Sequence, residues 1–314
     1  MNRVRVSCPA WLVLFAAALP LVGQGEGTAT SPFRQPVRIG TLPKKTIPEA
    51  SGIASSRRYE DLYWTHNDSG GKAEIFAVRR KGDLVRRIAI PWATNNDWED
   101  IAIDHQNRLV VADLGDNFAQ YKEHTLYRFA EPDPAGDTPV TDIETFRFAY
   151  PAELGRLDAE AFFLREDWAF VLTKQKDCAR LFRISLRKPS GRDEVPIAAE
   201  LVGSLGDLTQ VTSASLSDDG RHLAALTYQG IVVLDLAQAL QPKLPAADLL
   251  NTLQAAERRE KKVFLGQCEG VTWHGTELVV CTEQGPFQWG TPVLWQITPN
   301  LPNGTTPGHA DGMK

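Results

Sequence analysis

The sequence predicts an all-β chain folded as a five-bladed β-propeller and closed by an N-terminal strand. Three observations predict it. Five short segments superpose at blade-like intervals, each is followed by a second strand at a nearly constant distance, and a spare strand precedes the first repeat while the last repeat lacks its fourth. With 43% hydrophobic and 9% aromatic residues in 314, the composition excludes a disordered, collagen-like or multi-span membrane chain. The balance of 34 Lys+Arg against 39 Asp+Glu gives a net charge of -5, which argues against nucleic acid as a partner, since its binders carry a basic footprint.

The chain starts with Arg3 and Arg5, then an apolar run from Trp11 to Val22, then the small residues Gly23, Gly25, Gly27 and Ala29. This order reads as an export signal over residues 1–27, and the run is shorter than the roughly 20 apolar residues of a membrane span. A periplasmic or secreted protein with no integral membrane segment after cleavage is expected. Cys178, Cys268 and Cys281 remain outside the signal; Cys268 and Cys281 flank one hairpin and could bridge, leaving Cys178 free. No Cys-x-x-Cys pair is present, which argues against structural zinc.

The repeat is Glu49-Ala50-Ser51-Gly52-Ile53, Asp97-Trp98-Glu99-Asp100-Ile101, Asp158-Ala159-Glu160-Ala161-Phe162, Val211-Thr212-Ser213-Ala214-Ser215 and Gln267-Cys268-Glu269-Gly270-Val271, at intervals of 48, 61, 53 and 56 residues. Second strands end in Thr65, Asp113, Thr173, Thr227 and Thr282, each 13 or 14 residues beyond the third position of its repeat. Third strands read Ala73–Val78, Thr125–Phe129, Leu181–Leu186, Ile231–Leu236 and Val293–Ile297, all β-branched or aromatic in character. Fourth strands read Leu84–Ile90, Thr145–Tyr150, Ala198–Val202 and Lys262–Leu265. The spare strand Val37–Leu42 supplies the missing member of the fifth blade and removes the open edges. The domain runs from residue 33 to 298, with a flexible tail over 299–314. Ala246, Leu249, Leu250, Leu253 and Ala256 recur at helical spacing, so 237–260 reads as a helical insertion. A six-bladed ring is the alternative, with an irregular blade in the 61-residue interval or in that insertion.

First strands line a propeller's channel, and second strands return to the same end. Side chains two apart share a face, which gives one ring of Glu49, Asp97, Asp158, Val211 and Gln267 and a second of Ser51, Glu99, Glu160, Ser213 and Glu269. Six carboxylates, Glu49, Asp97, Glu99, Asp158, Glu160 and Glu269, then face one channel, and like charges at that density demand protons or a cation. Oxygen ligands select Ca²⁺ or Mg²⁺ over zinc, with Ca²⁺ first. The competing account pairs the acids with backbone N–H groups, or with Lys174 and nearby Arg. His66, Lys174, Tyr228 and Glu283 end second strands at the same mouth and are the candidates for acid/base work. Asn67, Asp68, Asp116 and Asn117, in two polar loops, are second-choice contacts; the Asp113–Asn117 loop lacks the order of an EF-hand. Trp92, Trp98 and Tyr121 are candidate stacking surfaces, with blade packing as the plainer role. No Gly-x-Ser-x-Gly, His-Glu-x-x-His or phosphate-loop motif occurs, which argues against a covalent Ser or Cys mechanism and a zinc helix.

The runs Trp64-Thr65-His66-Asn67-Asp68-Ser69-Gly70, Asp97-Trp98-Glu99-Asp100-Ile101-Ala102, Asp113-Leu114-Gly115-Asp116-Asn117 and Asp158-Ala159-Glu160-Ala161 resemble a group of exported bacterial β-propeller proteins over most of the chain. More remotely, the acids are similar to those of the calcium-dependent paraoxonase and gluconolactonase propellers, which have six blades and Asn/Asp-rich metal shells where this chain has five repeats and Glu-rich positions. The expected function is a monomer whose acidic, calcium-binding mouth takes a small-molecule or protein ligand. The alternative is a metal-dependent hydrolase of a small ester, lactone or phosphoester.

Overall fold

Each second strand of the repeat is apolar at consecutive positions, a pattern that only a strand buried on both faces can satisfy. The computed structural model describes residues 31–187, 195–284 and 290–301 and shows how that burial arises. β1 (Val37–Thr41) stands apart in sequence from the blade it completes. Blade 1 is β2 (Ala50–Ser55), β3 (Leu62–Asn67), β4 (Glu74–Arg79) and β5 (Leu84–Ala89), an antiparallel meander. Blade 2 is β6 (Trp98–Ile103), β7 (Arg108–Asp113), β8 (His124–Ala130) and β9 (Glu144–Ala149). Blade 3 begins with β10 (Ala159–Arg165), β11 (Trp168–Thr173) and β12 (Arg180–Ser185); after a two-residue β13 (Ile197–Ala198) it ends with β14 (Glu200–Ser204). Blade 4 is β15 (Val211–Leu216), β16 (His222–Thr227), β17 (Gly230–Asp235) and, beyond α1 (Ala246–Gln254), β18 (Glu257–Lys262). Blade 5 is β19 (Cys268–His274), β20 (Glu277–Thr282) and β21 (Val293–Ile297), with β1 hydrogen-bonded to β21 as its fourth strand.

The core is five separate clusters, one between each pair of neighbouring blades. Period-2 alternation divides every second strand between two of them. In β7, Leu109 and Val111 face blade 1 while Val110 and Ala112 face blade 3. In β11, Ala169 and Val171 pack towards blade 2, Phe170 and Leu172 towards blade 4. In β20, Leu278 and Val280 pack towards blade 4, Val279 and Cys281 towards blade 1. Blade 5 therefore packs on blade 1 through the same kind of interface that joins the others, and five blades close the ring.

The neighbouring first strands also exchange hydrogen bonds. The Ser51 hydroxyl donates to Glu99 O at 2.8 Å and Thr212 Oγ1 to Cys268 O at 2.9 Å; from the second strand of blade 5, Cys281 Sγ lies 3.6 Å from Gly52 O of blade 1.

Some boundaries differ from the sequence expectation. The fourth strand of blade 4 is Glu257–Lys262, not Lys262–Leu265, and the helix occupies only Ala246–Gln254 of the 237–260 insertion. The strand Glu-Arg-Arg-Glu-Lys-Lys is charged throughout because it is an outer edge, where charges oppose pairing with another chain. α1 buries Leu249 and Leu253 beside blade 3, and Leu250 lies so close to Gly203 that a Cβ there would meet its Cδ2 at 2.5 Å. Blade 3 ends at Glu200–Ser204 rather than Ala198–Val202, because Ile197 and Ala198 pair in parallel with Phe148 and Ala149 of blade 2. The 61-residue interval holds a long β8–β9 connection and a single 3-10 turn, Ala152–Leu154, and no sixth blade. Cys178, Cys268 and Cys281 are all free thiols, with Cys268 opposite Thr282 and Cys281 opposite Gly270. Phe33 is buried and bridges to Pro299, and Asn300 N donates to Pro32 O, which ties the first residues of the tail to the ring. The signal segment 1–27 and the tail from 302 lie outside the described residues. No helix among the described residues is long and apolar enough to cross a membrane.

Candidate functional site at the channel mouth

Every first and second strand pair carries a one-residue β-bulge at the same place. The register shifts fall between Ser51 and Ile53, Trp98 and Asp100, Ala159 and Ala161, Val211 and Ser213, and Cys268 and Gly270. The extra residues are Gly52, Glu99, Glu160, Thr212 and Glu269. A bulge leaves its residue out of the ladder and re-aims the side chain, so Glu99, Glu160 and Glu269 are the three acids that the bulges present to the channel. Ser51 and Ser213 do not belong to this set: each is paired across the ladder, to His66 and Leu226.

Above these residues lies a second tier. Asp68 N donates to Glu49 O, Lys174 N to Asp158 O, Glu283 N to Gln267 O, and both Leu114 N and Gly115 N to Asp97 O. Asp68, Gly115, Lys174 and Glu283 are thus equivalent in the repeat. His66 is not in this tier. It pairs with Ser51 and is fully buried, edge-on to the Trp98 ring at 5.6 Å. Burial pushes it down to about 4, and its Nε2 has no hydrogen-bond partner among the described residues. It is a core histidine, and Asp68 stands at the mouth where His66 was expected.

Asp68, Asp97 and Glu99 each offer a carboxylate oxygen, all within 4.8 Å of one another. Gly115 passes so near that a Cβ would collide with Glu99 Oε1 and Asp97 Oδ2, so glycine leaves this cradle open. In the adjacent blade 3, Lys174 Nζ donates to Glu160 Oε1 and sits 4.9 Å from the Tyr228 ring centroid. The other oxygen of buried Glu160, Oε2, has no partner among the described residues, nor has Asp68 Oδ1. Gln267 Nε2 donates to Glu283 Oε1 at 2.5 Å.

Burial pushes the pKa of Glu99 well up, and Glu160, then Asp68 and Asp97, add to it against Lys174. Asp97 rises to about 7 through burial and then Asp68, Asp158 and Asp113. Glu160 rises to about 8 through burial although Lys174 opposes it. Glu269 rises well above its ordinary value through burial, then Glu160 and Glu283. Glu283 rises to about 7 through burial, then Asp68 and Glu49. Tyr228 is pushed to about 12 by burial and then by Glu160 and Glu269. Burial alone would lower the Lys174 ammonium, but Glu160 reverses the sign, so it stays charged.

These shifts set a pH dependence. Without a cation, carboxylates raised to about 7 or 8 hold protons in the fold that the unfolded chain has released above about pH 4. The contribution of these carboxyls to stability is therefore full at low pH and is lost as pH climbs towards 8, partly offset by buried His66, whose lowered pKa acts in the opposite sense below about pH 6.5. Chelator-treated protein is expected to melt roughly 5 °C or more lower at pH 8 than at pH 5 by scanning calorimetry. Equal Tm values at the two pH values would contradict the charge crowding.

The remaining expected residues have structural partners. Asp158 Oδ1 accepts from Asp116 N at 2.8 Å, and Asp116 caps a turn by accepting from Gln120 N and Tyr121 N at 2.5 and 3.0 Å. Asn67 clamps the neighbouring loop, donating to Thr46 O and accepting from Glu49 N. Asn117 and Glu49 are exposed. Trp98 is core, whereas Trp92 is 97% exposed and Tyr121 40%. Asp68 was ranked second in the sequence and Asp100, the residue after Glu99, was not singled out. Asp100 is fully buried on the channel axis, and its bond pattern appears only in three dimensions.

No protein-family model and no curated protein matches the chain. Among solved structures it is similar to a gluconolactonase from Xanthomonas campestris, at 10% identity and a TM-score of 0.48 over 84% of this chain and 89% of that one. It is similar to a glucose dehydrogenase at 9% identity and a TM-score of 0.48, over 84% and 99% of the two chains. A PQQ-bound aldose sugar dehydrogenase from Streptomyces coelicolor matches at 9% identity and a TM-score of 0.45, over 83% and 96%. These are remote likenesses, at about one identical residue in ten, to gluconolactonase-type and sugar-dehydrogenase propellers.

Proposed function

We propose that the channel mouth binds Ca²⁺ through Asp68, Asp97 and Glu99, and that a small ligand or a protein partner is recognised over that cation. The observation that carries this reading is the convergence of three carboxylate oxygens within 4.8 Å, beside the unpartnered Glu160 Oε2. An all-oxygen donor set suits a hard cation, and the three grouped donors include neither the thiolate nor the imidazole that zinc prefers. A cation also relieves the repulsion that otherwise keeps these acids protonated. The N-terminal apolar segment supports a place outside the cytoplasm, where modules of this kind bind Ca²⁺ with Kd of about 10⁻⁴–10⁻³ M.

Calorimetric titration of chelator-treated protein with CaCl2 at pH 7.5 tests the reading. Saturable binding with proton release and a raised Tm is expected; absence of heat and an unchanged Tm at 10 times that concentration range would overturn it. Esters, lactones and phosphoesters assayed with and without Ca²⁺ then separate a binding site from a hydrolytic one. Lys174 provides a further check. Its ammonium opposes a nearby cation, so Lys174→Gln is expected to tighten Ca²⁺ binding by roughly three- to tenfold. Weaker binding in that variant would place the cation elsewhere.

A further inference from the structure

Ser55 closes β2 and His274 closes β19, in adjacent blades, at the end of the ring opposite the acids. Ser55 N donates to Thr272 Oγ1 at 3.1 Å, which fixes its backbone against blade 5. The Ser55 hydroxyl and His274 Nδ1 are 2.9 Å apart. On the other side of the imidazole, Asp61 Oδ1 is 3.9 Å from Nε2, and the Tyr63 ring packs against it with centroids 5.6 Å apart. Burial first, then the Arg80 guanidinium, hold His274 below its ordinary pKa against Asp61, Glu277 and Glu60. A neutral ring whose Nε2 hydrogen faces Asp61 leaves Nδ1 as an acceptor for the serine proton.

We propose that Ser55, His274 and Asp61 form a second site, with Ser55 a nucleophile towards small acyl esters, His274 its general base and Asp61 a positioning residue. Ser55 and His274 stand at hydrogen-bond distance as nucleophile and base, and Asp61, 3.9 Å from Nε2, lies on the far side of the ring where its charge acts on the imidazole. Ser55 Oγ bonds to the acyl carbon as its proton passes to His274 Nδ1. The bond from that carbon to the leaving oxygen then breaks, and the oxygen takes the proton. Water then loses a proton to the same Nδ1 as its oxygen bonds to the acyl carbon, the acyl–Oγ bond breaks, and the proton on Nδ1 passes to Ser55 Oγ. Arg57 spans this end of the ring, donating from one nitrogen to Asp104 O at 2.8 Å and from another to Asp218 Oδ1 at 2.6 Å. The array has no sequence motif because its members lie at positions 55, 61 and 274.

A fluorophosphonate probe, mapped by peptide mass spectrometry, tests it on the full chain. Ser55 Oγ displaces fluoride from phosphorus and its proton leaves through His274. Wild-type protein is expected to label at Ser55, with the same rate in chelator and in Ca²⁺. Ser55→Ala is expected to abolish labelling, and His274→Gln to slow it by roughly 100-fold. Asp61→Asn is expected to slow it by about tenfold and to move its pH midpoint down, since Asp61 favours the protonated ring. Tm measurements on each variant exclude loss of fold. An unlabelled wild type, labelling at another residue, or an unchanged rate in His274→Gln would each overturn the proposal.

Discussion

Glu99→Gln is expected to weaken Ca²⁺ binding by at least roughly 100-fold, while chelator-treated protein of the same variant melts higher than wild type at pH 8. The two effects have opposite signs for one reason. Glu99 is buried at a bulge, near Asp68 and Asp97, with Glu160 of the adjacent blade its strongest acidic neighbour. As a ligand it supplies charge as well as an oxygen, and affinity for a hard cation depends strongly on the count of charged ligands. Without the cation the same charge is a liability, because burial and three acidic neighbours oppose ionisation. The amide keeps the shape and removes the charge, so the apo fold is relieved while the site is disabled. An increase of several degrees is the expected size at pH 8, shrinking towards zero at pH 5, where the wild-type acid is protonated. A structural role in hydrogen bonding alone predicts the reverse, a lower apo Tm. Unchanged Ca²⁺ heats in the variant would refute the assignment of Glu99 as a ligand.

The sequence discloses the blades well because each contains a hairpin of fixed length. The 13- or 14-residue separation between Glu99 and Asp113, or Glu160 and Thr173, is the length of two six- or seven-residue strands and a tight turn. It conceals the bulge. One extra residue in the first strand decides which side chain is left unpaired, and Ser51-Gly52 and Thr212-Ser213 give no sign of which member that is. His66 lies within β3 and is buried in the core, whereas Asp68 lies just past the end of that strand and reaches the mouth. Blade 1 also carries the additional ladder pair Ala50–Asn67, which displaces its mouth residue from the spacing of the other blades. The edge strand Glu257–Lys262 escaped notice for a different reason: it pairs along one side only, so its side chains are selected by solvent and not by packing. Ser55, Asp61 and His274 are distant in sequence, and nothing local marks them.

Asp100→Ala is expected to cost about 3–5 kcal/mol and to lower Tm by roughly 10 °C, the largest loss from any single side chain discussed. Asp100 belongs to blade 2 and is 1% exposed. Its Oδ1 accepts from Ile101 N at 2.9 Å. Its Oδ2 accepts from Phe162 N of blade 3 at 3.3 Å, and from Ser213 Oγ and Ala214 N of blade 4 at 3.1 and 3.3 Å. Ser213 Oγ in turn accepts from Val271 N of blade 5 at 3.0 Å. One carboxyl thus joins three blades across the channel axis and reaches a fourth through a hydroxyl. Alanine leaves three buried N–H groups, of Ile101, Phe162 and Ala214, and the Ser213 hydroxyl without this acceptor. Burial drives the Asp100 pKa well above its ordinary value, while the bonds from Phe162 N, Ile101 N, Ala214 N and the Ser213 hydroxyl act to lower it. An amide has nearly the same shape and keeps one oxygen that can accept from Phe162 N, Ser213 Oγ and Ala214 N. Asp100→Asn is therefore expected to keep most of the stability, with a loss of about 1 kcal/mol from reorienting the donors. The ratio of the two losses carries the argument: a charge-based role for Asp100 predicts that Asn is as damaging as Ala, and a passive filler predicts that neither matters. Thermal unfolding of both variants at pH 6, away from the titration of the mouth acids towards pH 8, distinguishes the three.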